Sequence, residues 1–130
     1  MGFGSVLLAA AAAWLAGAAW YLTLSAAWVA ASGVPVDENG RPRNGGALPH
    51  VVTFAALIVV AGMMRHTFAM AGVTEPVSGA VSGLGLGAFI AAPWIAITYV
   101  YAARPRVLWL IDGGYAIVAT GIIGLVLGLI

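Results

Sequence analysis

Charge is nearly missing from this sequence. Asp, Glu, Lys and Arg together make 7% of its 130 residues, against about 25% in a water-soluble domain. A soluble fold of this length would not cover its surface with so few charges, which points to an integral membrane protein. Cysteine is absent, so disulfides, thiolate metal sites and cysteine nucleophiles are excluded. Lysine is absent too, which excludes Schiff-base chemistry and P-loop phosphate binding. The five basic residues are all arginine and the net charge is +1, so there is no basic footprint for nucleic acid. What the chain has instead is apolar side chains: 63% of residues, with a mean hydropathy of +1.07. The length sets a ceiling of one modest domain, read as a single membrane domain over 1–130.

A spanning helix needs about 20 apolar residues. Four stretches qualify: Phe3 to Ala31 without a charge, Leu48 to Ala71 with His50, Arg65 and His66, Pro76 to Ala103 without a charge, and Val107 to Ile130 with Asp112. The expected fold class is therefore all-α, a four-transmembrane-helix bundle. The joints have turn chemistry. Between Ser32 and Ala47 lie Gly33, Pro35, Asn39-Gly40, Pro42 and Gly45-Gly46, a polar loop with a small hairpin expected at Asn39-Gly40. Gly72 to Pro76 is a tight turn in which Thr74 is expected to cap the third span, with Pro76 in its first turn. Arg104-Pro105-Arg106 separates the third and fourth spans.

Met1 to Ser5 has no basic side chain and the apolar run continues to residue 31. That pattern predicts an uncleaved first span rather than a signal peptide. Arg41, Arg43, Arg104 and Arg106 all fall in the first and third loops. The positive-inside rule then places loops 32–47 and 104–106 in the cytoplasm and both termini outside, in a bacterial inner membrane.

Small residues let membrane helices approach closely. The third span has Gly79, Gly83 and Gly87 at steps of four, continued by Ala91. The fourth has Thr120, Gly124 and Gly128, and the first has Ala9, Ala13 and Gly17. These stripes predict close packing, and they leave open whether the partner is this chain, another copy or a foreign protein. Trp28, Tyr99, Tyr101 and Trp109 cluster near the expected cytoplasmic boundary, as an aromatic belt does. Trp14, Trp20 and Trp94 lie deeper, and are expected to face the bundle where their N–H groups find acceptors.

Several of these residues occur in a familiar combination. Trp20-Tyr21 followed by Trp28, the run Gly83-Leu84-Gly85-Leu86-Gly87-Ala88-Phe89, and the run Arg104-Pro105, Leu108-Trp109-Leu110-Ile111-Asp112, Gly114-Tyr115 together resemble an uncharacterised bacterial and fungal membrane family, domain of unknown function 1761. The likeness covers nearly the whole chain. It implies a four-helix membrane bundle and implies no activity. The chain departs from the family pattern at Leu22-Thr23 and Ala26-Ala27, where the family has Ser-Pro and Gly-Lys. It departs again at Thr98 and Ala102, where Asn and an acidic residue are usual.

An ionisable residue within a span is costly and is a functional candidate by default. Asp112 lies about six residues into the fourth span, roughly 7 to 9 Å along its axis. His50 is placed at a comparable depth on the same side, with Tyr115 one turn on from Asp112. The three form a candidate polar cluster, proton-responsive or substrate-binding, at a cytoplasmic mouth. The favoured alternative is structural, with Asp112 anchoring the Arg104-Pro105-Arg106 turn or capping nearby backbone N–H groups. Arg65 is expected to snorkel and pair with Glu75 at the outer rim, while Met63, Met64 and Met70 read as packing filler. His50 and His66 are separated by about 24 Å of helix and cannot share one ion, so no metal or cofactor is expected.

The function that follows is non-catalytic. The chain is expected to pack as a homo-oligomer or to dock as an accessory subunit on a larger membrane complex. The alternative is an oligomeric transporter or channel with Asp112 and His50 at its cytoplasmic mouth. An enzyme acting on lipid or quinone ranks last, since no positioned acid–base partners stand out. The expected partners are the lipid bilayer and either a second copy or another membrane protein.

Overall fold

A computed structural model of the chain describes residues 2–43 and 46–130. The chain forms α1 (Phe3–Thr23), α2 (Ser25–Ser32), α3 (Ala47–Ala71), α4 (Pro76–Leu86), a π-helical turn (Gly87–Ala91), α5 (Ala92–Tyr101) and α6 (Arg106–Leu129). Among the described residues there are no strands. α1, α3, the continuous run Pro76–Tyr101 and α6 are each long and apolar enough to cross a membrane.

The first apolar stretch is not one straight helix. Leu24 leaves helical geometry at φ −102°, ψ 15°, although its N–H still bonds to the Trp20 carbonyl. The Thr23 hydroxyl bonds back to the Ala19 carbonyl at 2.7 Å, an arrangement that bends helices. α2 therefore continues α1 at an angle and stops at Gly33, whose φ of 67° is open to glycine and strained for other residues.

The polar loop closes as the expected small hairpin. Val36 bridges Pro42 in antiparallel fashion, the Asp37 N–H bonds to the Arg41 carbonyl at 2.8 Å, and Gly40 takes the positive φ of 76° that the turn requires. Of the Gly45-Gly46 pair, Gly45 lies outside the described residues. At the start of α4 the expected cap is displaced by one residue. Glu75 is the N-cap, extended at φ −115° and ψ 152°, and no side chain caps the helix. Its carbonyl accepts the Gly79 N–H and the Ser78 hydroxyl, so Thr74 stands one position outside. Pro76 takes the first turn as expected.

The π-turn has a local cause. Pro93 has no N–H, and in a regular helix its ring would collide with the carbonyl four residues back, at Phe89. The wide turn just before it absorbs the conflict, with the Ala92 N–H reaching the Gly87 carbonyl.

α6 is the central helix. It packs most extensively on α4, and then on α1 and α5, while α3 packs chiefly on α1. α4 and α5 make no comparable contact with α1 or α3, so the bundle is open on that side. The glycine stripes of the third and fourth spans meet each other. A β-carbon at Gly79 would overlap the Gly124 carbonyl, one at Gly83 the Thr120 carbonyl, and one at Gly128 the Glu75 carbonyl. Gly87 lies against Thr120 and Ile117 in the same way. The second half of the core joins Val6, Ala9, Ala10 and Ala13 of α1 to Leu57, Ala61, Met64 and Phe68 of α3, with Ala119 and Ile123 of α6. Trp14 and Trp20 turn inward as expected. Trp94 does not: it is 68% exposed on a helix with no buried residue, because only α6 packs against α5 and Trp94 is on the other side.

Candidate functional site around Asp112

Three helices converge on one carboxylate. Asp112 lies in the second turn of α6, Tyr21 near the end of α1 and Tyr99 near the end of α5. The Tyr21 hydroxyl donates to Asp112 Oδ1 at 2.6 Å. The Tyr99 hydroxyl donates to Oδ2 at 2.5 Å. Each carboxylate oxygen thus has its own phenol, from a different neighbouring helix.

The surrounding aromatics seat α1 on α6. The Trp20 Nε1–H donates to the Ile111 carbonyl at 2.9 Å. Its ring lies over Gly114, where a β-carbon would come within 2.8 Å of the indole. Tyr115 reaches the other way and donates to the Ala13 carbonyl at 2.8 Å. Its ring end occupies the space that a β-carbon at Gly17 would need. Tyr21 sits edge-on between Tyr115, at a centroid distance of 5.4 Å, and Trp28, at 6.3 Å. Two glycines, one on each helix, are therefore the sockets for two large rings from the opposite helix.

The adjoining turn is pinned as well. The Arg104 guanidinium donates to the Ser32 carbonyl at the end of α2, and the Trp109 Nε1–H donates to the Arg104 carbonyl at 3.2 Å. The loop after α2 and the turn between α5 and α6 are thereby held at one end of the bundle.

The expected cluster of Asp112, His50 and Tyr115 is rearranged. Asp112 neither anchors the Arg104-Pro105-Arg106 turn nor caps backbone N–H groups; its oxygens accept from Tyr21 and Tyr99. Tyr115 approaches the group only through its ring contact with Tyr21. His50 is elsewhere. Its carbonyl accepts the Trp14 Nε1–H at 3.2 Å, and its ring is edge-on to Trp14. Trp14 and Tyr21 are seven residues apart on α1, about 10 Å along its axis, so His50 and Asp112 lie at different levels. The reason is the extension of α1 by α2, which carries the first span past the start of α3.

The outer-rim pair is also not formed: among the described residues no ion pair joins Arg65 to Glu75. Arg65 is half-buried and lines a shallow space of about 230 Å³ with Phe68, Val73, Thr74 and Leu127. Glu75 is exposed, and its backbone packs on Gly128. Among the described residues no three acidic or histidine side chains gather closely enough to hold a metal ion.

The sequence reading missed the partnership of Tyr99 with Asp112, having placed Tyr99 in an aromatic belt. A signal was present. Tyr99 precedes, and Asp112 follows, the same tight turn by a few residues, and an antiparallel helix pair sets such positions opposite each other.

The sequence model described as "Protein of unknown function (DUF1761)" matches residues 5–128. The chain belongs to this family. No curated protein and no solved structure matches it. In this DUF1761 chain six of the residues that carry the family resemblance lie far apart in sequence, from Trp20 to Tyr115, yet they meet in space. Trp20, Tyr21, Trp28, Trp109, Asp112 and Tyr115 all take part in the contacts around the α1–α6 junction and its adjoining turn.

Proposed function

We propose that this family member is a multi-pass protein of the bacterial inner membrane with a non-catalytic role. It acts by packing with a second copy or as an accessory subunit of a larger membrane complex. The observation that carries the reading is the use made of Asp112. It is the sole acid inside an apolar stretch, and both its oxygens are bound by tyrosines that tie α1 and α5 to α6. A carboxylate so engaged supports helix association. No histidine stands beside it to exchange a proton, since His50 is a neighbour of Trp14 instead. That separation also weakens a transporter mouth built from Asp112 and His50 together.

Association is supported by the open bundle. Among the described residues α4 and α5 pack chiefly on α6, and Val77 and Val81 of α4, Phe89 and Ile90 of the π-helical turn and Trp94 of α5 are exposed. Lipid or a further helix completes such a face. Loops 32–47 and 104–106 are read as cytoplasmic, with both termini outside, from the four arginines in those loops.

The test is affinity purification of the tagged chain from native membranes in mild detergent, with cross-linking before solubilisation. A stable dimer or a stoichiometric membrane partner is the expected result. A monomer with no cross-linked species overturns the association. Recovery of the chain in the soluble fraction overturns the membrane assignment itself.

A further inference from the structure

We infer that the end of the bundle formed by the α2–α3 hairpin and the α5–α6 turn is a docking surface for anionic phospholipid headgroups. This rests on the membrane reading above and adds a partner of stated chemistry to it. Four of the five arginines, Arg41, Arg43, Arg104 and Arg106, belong to these two connections. The structure brings the connections together, because the Arg104 guanidinium reaches the Ser32 carbonyl where the hairpin segment begins.

The four arginines do not have the same job. Arg104 is a strut, engaged through its side chain to Ser32 and through its carbonyl to Trp109. Arg41, Arg43 and Arg106 are exposed. Arg43 is steadied by one bond, from its Nε to the Val36 carbonyl at 3.0 Å, which leaves the outer fork of the guanidinium for a phosphate. Two acids share this end. Asp37 is turned into the hairpin, its Oδ1 accepting the N–H groups of Asn39 and Arg41 at 2.9 and 3.0 Å. Glu38 is exposed at the tip. The balance of the two connections is thus two positive charges, four arginines against Asp37 and Glu38.

The neighbouring surface suits the headgroup region. Tyr101 is 89% exposed at the end of α5, and Val107 and Leu110 are exposed in the first turns of α6. A tyrosine at the boundary with apolar residues beyond it is the arrangement of an interfacial belt. Arginines just outside that belt meet the phosphodiesters of anionic lipids, and each one near the surface contributes about a five-fold gain in binding. At the opposite end Arg65 and Glu75 balance each other, so the preference belongs to one leaflet.

The test uses the full chain in mild detergent and native mass spectrometry. Phosphatidylglycerol, phosphatidylcholine and inorganic phosphate are offered separately. Retention of phosphatidylglycerol over phosphatidylcholine is expected, reduced at least ten-fold in the R41Q/R43Q/R106Q variant and unchanged in R65Q. Arg41, Arg43 and Arg106 are exposed and Arg65 is half-buried, and circular dichroism confirms that the variants keep their helices. Equal retention by the wild-type chain and the triple variant overturns the inference, as does displacement of the lipid by millimolar inorganic phosphate, which would make the site one for free phosphate. A separate carbonate-extraction assay of the native membranes, before detergent is added, reports insertion, so failure of the membrane reading is distinguished from failure of lipid selection.

Discussion

The Tyr99 hydroxyl lies 2.5 Å from Asp112 Oδ2 across the turn that joins the third and fourth apolar stretches. Tyr21 closes the opposite side of the same carboxylate at 2.6 Å. The pair of bonds makes Asp112 a joint that ties both α1 and α5 to α6 through one side chain. Its strength can be read by removing one partner at a time. Tyr21→Phe and Tyr99→Phe are each expected to cost about 1 kcal/mol in a lipid or detergent environment. Asp112→Ala should cost about 2 to 3 kcal/mol, because it leaves two hydroxyls without an acceptor. Asp112→Asn, which retains one carbonyl acceptor, should fall between. Thermal unfolding of the purified variants checks the order, and an Asp112→Ala variant as stable as the wild type would remove the joint from the account.

Glycine substitutions should separate sharply by face. Gly83→Val drives side-chain atoms into the Thr120 backbone, and Gly79→Val does the same at Gly124. Backbone cannot move aside as a flexible side chain can, so α4 must part from α6 at a cost of about 2 kcal/mol or more. Gly85 and Gly62 lie in helices with nothing within 4 Å of an added β-carbon. Gly85→Ala and Gly62→Ala are expected to be neutral or to stabilise by about 0.5–1 kcal/mol through helix propensity. Loss of folded protein on a detergent-denaturant titration measures both groups.

The Trp20 ring and Gly114 form a second contact with a defined outcome. Gly114→Ala brings a methyl to 2.8 Å from the indole, so the ring must shift and its bond to the Ile111 carbonyl lengthens. Trp20→Phe removes that bond directly while keeping an apolar ring over the glycine. Each single change should destabilise by about 1 kcal/mol, and the double variant by less than their sum, since both act on one contact. Additive effects would show that ring and socket act independently.

Orientation can be tested without background, because the chain has no cysteine. Asn39→Cys places a thiol at the hairpin tip and Thr74→Cys places one in the turn at the opposite end. A membrane-impermeant maleimide applied to intact cells is expected to label Thr74→Cys and to spare Asn39→Cys. The reverse pattern would invert the topology, and labelling of both would show insertion in two orientations.

The hairpin end makes its own stability prediction. Arg104→Gln withdraws the guanidinium from the Ser32 carbonyl while leaving the Trp109 bond to the backbone of residue 104. The expected loss is about 1 kcal/mol, with faster hydrogen exchange confined to α2 and the α5–α6 turn. Uniform acceleration across all helices would place the effect elsewhere.

Much of this architecture is legible in residue order because hydropathy and turn chemistry act locally. The scarcity of charge, the four long apolar stretches, Pro76 at a helix start and the Asn39-Gly40 turn each depend on a few neighbouring residues. The spacing of Gly79, Gly83 and Gly87 likewise announced a smooth helix face. Other features depend on two distant segments at once. Residue order did not say that the glycine face of α4 meets Gly124 and Gly128 of the same chain rather than another molecule. Nor did it say that Asp112 takes its partners from Tyr21 and Tyr99 while His50 goes to Trp14. Those pairings depend on how far each helix runs before it turns: the bend at Leu24, the added α2 segment and the wide turn before Pro93 set which levels face each other. Residue order determined that the chain has four long apolar stretches, with every charge but Arg65 and Asp112 in the connections between them. Only the tertiary structure decided which helices touch, because the register between helices is a property of their lengths, bends and sockets taken together.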